Sequence, residues 1–226
     1  MHRRKIKNKY IENPQGFAAG INFYKLVLVF FAGCVIGYAV EMLYAYALNG
    51  MWINRQGLIY GPFNQIYGLG MVLCVLVLYR LRNANAVIIF LSSAVLGSVF
   101  EYLCSFAQEM AFGCVSWEYS DTPANLHGRT NLFFGLCWGM LGLIFIRNFY
   151  PYLCKWIEKM PAKIGKPVTI VIAVLLSIDM IISAAAVARQ GQRVKGEEAK
   201  TFIGEFLDNY YPDEFLLKVY PGMKFR

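Results

Sequence analysis

Five apolar runs of about 18 residues or more constrain this chain more than any other feature, because each is long enough to cross a bilayer as a helix. They lie at roughly 26–47, 58–79, 86–111, 131–147 and 168–188. Backbone in lipid has no water to bond to, so a spanning segment must satisfy its own N–H and C=O groups, as a helix does. Composition agrees: 58% of the 226 residues are hydrophobic and only 16% are charged. The expected fold class is all-α, an integral membrane helical bundle with five transmembrane helices.

Lys and Arg total 22 against 14 Asp and Glu, a net charge of +8. These basic residues gather at the ends of the apolar runs, where they read as positive-inside signals and contacts with anionic lipid, and no nucleic-acid partner is implied. Counted on alternate sides of five crossings, they number thirteen and nine of the 22. That places the basic segment 1–25, with Arg3, Arg4, Lys5, Lys7 and Lys9, in the cytoplasm of a multi-pass cell-membrane protein, and the C-terminal tail outside. The same segment, followed by Ala45-Tyr46-Ala47, imitates a cleavable leader, but the length of the run argues for a span. The six cysteines lie mostly inside the runs without paired spacing, and there are two histidines. Neither a disulfide framework nor a metal site is expected, and no cofactor is legible.

The first run contains VIGYAVEMLYAYA, Val35 to Ala47. A carboxylate at the centre of a membrane helix costs about 3 kcal/mol on insertion scales, so Glu41 needs a partner or a task. The stretch VLGSVFEYLCSFA, Val95 to Ala107, repeats V-x-G-x-x-x-E-x-L and aligns Gly37 with Gly97 and Glu41 with Glu101. Further on, GPFNQIYG (Gly61 to Gly68) aligns with GRTNLFFG (Gly128 to Gly135), matching Asn64 with Asn131. Two tandem helical-hairpin repeats follow, 26–80 and 86–147, parallel in the membrane because each has an even number of spans. The glutamates are expected to face each other between the units, with the glycines allowing close helix approach. The remainder divides into an amphipathic connector at 148–167, a fifth transmembrane helix at 168–190 and an amphipathic tail at 191–226 that breaks at Pro212.

Parity collects the polar residues on one membrane side. The candidate ligand-binding set is Glu41, Arg55, Tyr60, Asn64, Glu101, Glu109, Trp117, Arg129, Asn131 and Asp179, a mixture of carboxylates, guanidiniums and amides able to hold a small polar solute. Tyr60 and Trp117 otherwise serve as interfacial anchors, and Asp179 has Ser183 one turn on as a local hydrogen-bond partner. The alternative is a membrane-embedded enzyme acting on a lipid or lipid-linked substrate, with Glu101, His127 and Arg129 as acid/base and anion-holding groups.

Three segments, NRQGLIYGPFNQIYG, FEYLCSFAQEMAFGCVSWEYSDTPANLHGRTN and YPDEFLLKVYPGMKF, resemble the bacterial ABC transporter permease family of type IV, also called CmpB-like. The resemblance covers nearly the whole chain and implies a multi-pass membrane permease. The chain carries no G-x-x-x-x-G-K phosphate loop, so ATP hydrolysis would come from a separate ATPase subunit, for which 148–167 is the candidate docking segment.

Overall fold

The computed structural model describes residues 16–226; the basic stretch Arg3–Lys9 lies outside the described residues. Helix α1 (Phe23–Asn49) packs against α2 (Gln65–Leu73), which continues through a π turn, Cys74–Leu78, and a short 3-10 turn, Tyr79–Leu81. Helix α3 (Ala86–Phe112) packs in the same way against α4 (Leu132–Ile144), and α4 runs through a second π turn, Phe145–Phe149, into α5 (Tyr150–Lys159). The long α6 (Ala162–Val194) and the tail helices α7 (Phe202–Tyr210) and α8 (Asp213–Val219) complete the helical part. Two strand pairs lie outside the helices: β1 (Cys114–Val115) with β4 (Lys224–Phe225), and β2 (Asn125–Leu126) with β3 (Thr130–Asn131), both antiparallel.

Local chemistry sets these boundaries. Each of α1 to α4 starts on an asparagine, Asn22, Asn64, Asn85 and Asn131, whose side chain accepts from a first-turn N–H that would otherwise be unpaired. Helices α1 and α3 stop at Gly50 and Gly113, both left-handed at φ 68° and 66°, where a side chain would be strained.

Among the described residues four helices are long and apolar enough to cross a membrane: Phe23–Asn49, Ala86–Phe112, Leu132–Lys159 and Ala162–Val194. The second apolar run, 58–79, is realised differently, as the shorter helix Gln65–Leu81. Residues 58–64, expected within that span, are not helical, because Gly61 sits at φ +76°, Pro62 follows it and Asn64 starts the helix afresh. The Asn64 N–H donates to the Cys34 carbonyl at 2.9 Å, so α2 begins beside the middle of α1. That point is fifteen residues, about 22 Å, short of the α1 terminus. The segment 51–64 therefore folds back along the helices, which irregular backbone at membrane depth tolerates only where protein covers it. Within the segment Leu58 and Ile59 are buried, whereas Tyr60, Gly61 and Pro62 are exposed.

Two cores sit at opposite ends. One joins Leu28 and Val29 of α1 to Val75, Ile89, Phe145 and the inner face of α5, and within this end Lys25 and Glu158 form a buried ion pair at 3.0 Å. The other packs Ile59 against Ala186 of α6 and Leu207, Tyr211, Leu216 and Val219 of the tail.

Candidate functional site

Each hairpin builds the same local unit. In the first, the Tyr67 ring of α2 lies directly over Gly37, where an added Cβ would collide with it, and the Tyr67 hydroxyl donates to Glu41 Oε1 at 2.8 Å. In the second, the Trp138 side chain of α4 lies over Gly97 in the same manner, with Glu101 close by. The G-x-x-x-E spacing now has a physical account: the glycine seats an aromatic from the facing helix, and the glutamate lies one turn later, where in the first hairpin it receives that aromatic's hydroxyl. The two rings meet at 5.7 Å between centroids. The two carboxyls are near enough to act on one another electrostatically, and Tyr67 feels both.

Glu101 has further partners. Thr130 Oγ1 donates to its Oε2 at 2.7 Å and the Tyr119 hydroxyl to its Oε1 at 3.1 Å. Burial first, and then the Glu101 charge, hold the Tyr119 hydroxyl far above its ordinary pKa, so it remains a donor. Both donors come from the loop 113–131, whose β2–β3 turn has His127 and Gly128 at positive φ and closes with Arg129 N–H on the Leu126 carbonyl.

The register between hairpins differs from the sequence alignment by one turn. Asn64 and Asn131, 67 apart, are indeed both caps, but the packed equivalents Tyr67 and Trp138 are 71 apart, as are the π turns starting at Cys74 and Phe145. Likewise Gly68 packs on Phe30 and Gly139, not Gly135, on Phe90.

A cavity of about 100 Å³ lies between the hairpins. Ile36 and Val40 of α1 and their counterparts Leu96 and Phe100 of α3, 60 residues on, form two of its walls, and the residues at Tyr67 and Trp138 form others.

The remaining candidate residues have local duties. Asn64 and Asn131 spend their side-chain oxygens on Ile66 and Phe134 N–H groups. Arg129 pairs with Glu109 at 2.5 Å, donates to Ser105 and stacks over Tyr102 and Phe106, while its carbonyl accepts from Trp117 Nε1 at 2.8 Å. Asp179 Oδ1 accepts from the Tyr60 backbone N–H and from Ser183, and Ser183 in turn accepts from the Ile59 N–H at 2.9 Å, so together they hold the folded-back segment against mid-α6. The Tyr60 hydroxyl meets that of Tyr211 at 2.7 Å, and Arg55 lies beside Gly222. His127, exposed, pairs with the Tyr102 hydroxyl at 2.9 Å. Of the three residues grouped in the enzymatic reading, His127 and Arg129 share the Tyr102 side chain, while Glu101 has its own partners in Tyr119 and Thr130.

Tyr67, Thr130 and Trp138 were not among the residues singled out from sequence. Tyr67 and Thr130 lie inside the repeated segments and Trp138 three residues beyond, yet a phenol or indole in an apolar helix is by default a packing residue.

The tail covers this side. Arg226 pairs with Glu109 and Glu118, β4 extends β1, and Asn54 donates to the Lys218 carbonyl. Helix α7 is clamped by Asp208, which receives Arg189 at 2.7 Å and Arg193 at 2.5 Å.

A family model described as "Putative ABC-transporter type IV" matches residues 28–184, which include both hairpins and most of α6. The chain belongs to this family. It is therefore a multi-pass membrane protein related to ABC transporters. A search of the curated proteins found no match, and a search of the solved structures found none.

Proposed function

We propose that this type IV ABC-transporter family member is a cell-membrane permease that binds a small polar solute between two duplicated hairpins, 26–80 and 86–147, with the short helix Gln65–Leu81 counted as a fifth crossing. The observation that carries the reading is the paired unit of glycine, aromatic and glutamate, once in each hairpin, with its two rings in contact at the interface. Duplicated transporter halves commonly hold their substrate at the repeat interface near the membrane midplane. The constant 60-residue and 71-residue offsets across the cavity walls support the duplication. Energy would come from a separate ATPase subunit docking on the basic side, at α5 and 148–167, with the N-terminus cytoplasmic.

The direct test is mass spectrometry of small molecules that copurify with detergent-extracted protein, wild type against Glu101→Gln. A solute retained by the first and lost from the second, measured at a temperature where both remain folded, is the expected result. If glutamate serves only to join helices, the amide should serve about as well, since interhelical hydrogen bonds are worth roughly 0.6–2 kcal/mol and Gln makes them. Equal retention would sink the reading.

A further inference from the structure

We infer that the cavity between the hairpins is a binding site for a quaternary ammonium group, an organic cation with an apolar surface; this deepens the solute-site reading above and rests on it. Three observations converge. The walls are almost wholly apolar, and the Ser93 hydroxyl among them is already committed to the Ile89 carbonyl at 2.7 Å. A solute seated there finds almost no free hydrogen-bonding group, which excludes a sugar, an amide or a strongly hydrated inorganic ion as the occupant. Four aromatic side chains, Tyr67, Phe100, Trp138 and Phe145, line the space. Aromatic faces attract cations, most usefully those carrying methyl groups in place of N–H donors.

The third observation is charge. Val40 and Phe100 line the cavity and immediately precede Glu41 and Glu101 in sequence. Among the described residues neither carboxylate has an ion-pair partner, and the only side-chain donor to Glu41 is Tyr67. The wall residue Tyr67 bonds directly to Glu41, so a carboxylate borders the apolar space and favours a cation over its neutral isostere. Size agrees as well. A dry cavity of about 150 Å³ admits benzene, and one of about 100 Å³, partly open, suits a compact tetramethylammonium-sized group.

Gly70 provides the decisive variant. It lines the cavity, and an added Cβ would meet only Phe100, at an ordinary 3.6 Å. Its counterpart 71 residues on is Leu141, also in the wall. Gly70→Leu should therefore fill the space without disturbing backbone.

The experiment is calorimetric titration of the full chain in lipid nanodiscs with three probes: tetramethylammonium chloride, the neutral isostere 2,2-dimethylpropanol, and potassium chloride. Tetramethylammonium should bind at least roughly tenfold more tightly than either of the others. Gly70→Leu should lose that binding at an unchanged or raised melting temperature, and Glu41→Gln should reduce the preference for the cation over the alcohol. Equal binding of 2,2-dimethylpropanol would show an apolar void indifferent to charge, equal binding of potassium would show carboxylates acting without the cavity, and undiminished binding in Gly70→Leu would place the cation elsewhere. Each of these overturns the assignment, as does the absence of tetramethylammonium binding to the wild type. Titration requires no ATPase subunit, so tetramethylammonium binding without transport would sink the permease reading alone. A copurified solute that tetramethylammonium fails to displace would sink this one alone.

Discussion

In the second hairpin Glu101 is 6% exposed and accepts from Tyr119 and Thr130; in the first, Glu41 is partly exposed and accepts, among the described side chains, from Tyr67 alone. The difference comes from the loops. Segment 113–131 folds into its own β-turn, ties to the tail through β4 and Arg226, and sends two donors to its glutamate. Segment 51–64 is instead anchored to α6 by Asp179 and Ser183. Glu101 is thus held by a fuller set of donors, and Glu41 keeps a carboxylate oxygen available.

The largest test of the shared unit is at its glycines. Gly37→Ala and Gly97→Ala each force a methyl into an aromatic ring, and such overpacking costs about 1–3 kcal/mol. Denaturant unfolding in micelles should show both destabilised, Gly97→Ala more so because the indole is larger. Neutral behaviour at either position would break the equivalence of the two units.

A smaller effect separates the carboxylates. Glu101→Gln should lower stability by about 1–2 kcal/mol, because two donors lose a carboxylate acceptor, while Glu41→Gln should stay within about 0.6 kcal/mol. The reverse order would mean that Glu41 is the structural member of the pair.

Smaller again are the loop anchors. Asp179→Asn weakens the acceptor for the Tyr60 N–H, and amide exchange in 51–64 should rise severalfold, leaving 113–131 unchanged. Arg226→Ala should do the opposite, since Arg226 reaches Glu109 and Glu118 of the second unit. Exchange that rises in both loops for either variant would show that they move as one body.

The least effect concerns pH and the tail. The hydrogen bonds from Arg189, then those from Arg193, hold the Asp208 carboxyl below its ordinary 3.8. A depressed folded-state pKa contributes stability that is present above 3.8 and lost as pH falls through the lower folded value. Protease cleavage between α6 and α7 should therefore stay slow from neutral pH down to about 4 and quicken below it, and Asp208→Asn should be faster already at neutral pH. Because Asp208 is solvent-facing, screening keeps the effect modest.

Hydropathy and the glutamate repeat were legible in the residues themselves. Apolar length is a property summed over a window, and the need to satisfy backbone bonds in lipid turns it into a helix whatever the neighbours are. Gly37 with Glu41 and Gly97 with Glu101 were visible because both members of each pair lie on one helix, four residues apart. The folded-back segment was half legible: GPFN signals a break, yet the average over 58–79 remained apolar enough to resemble one continuous span. What only the tertiary structure decided was partnership across helices. It put Trp138 rather than Phe134 opposite Gly97, one turn away from the sequence alignment, and it assigned Asp179 to hold the first loop and Arg129 to Glu109. Caps answer to the local chain, so Asn64 and Asn131 keep a 67-residue offset, whereas packing answers to which ring fits on which glycine, and there the offset is 71.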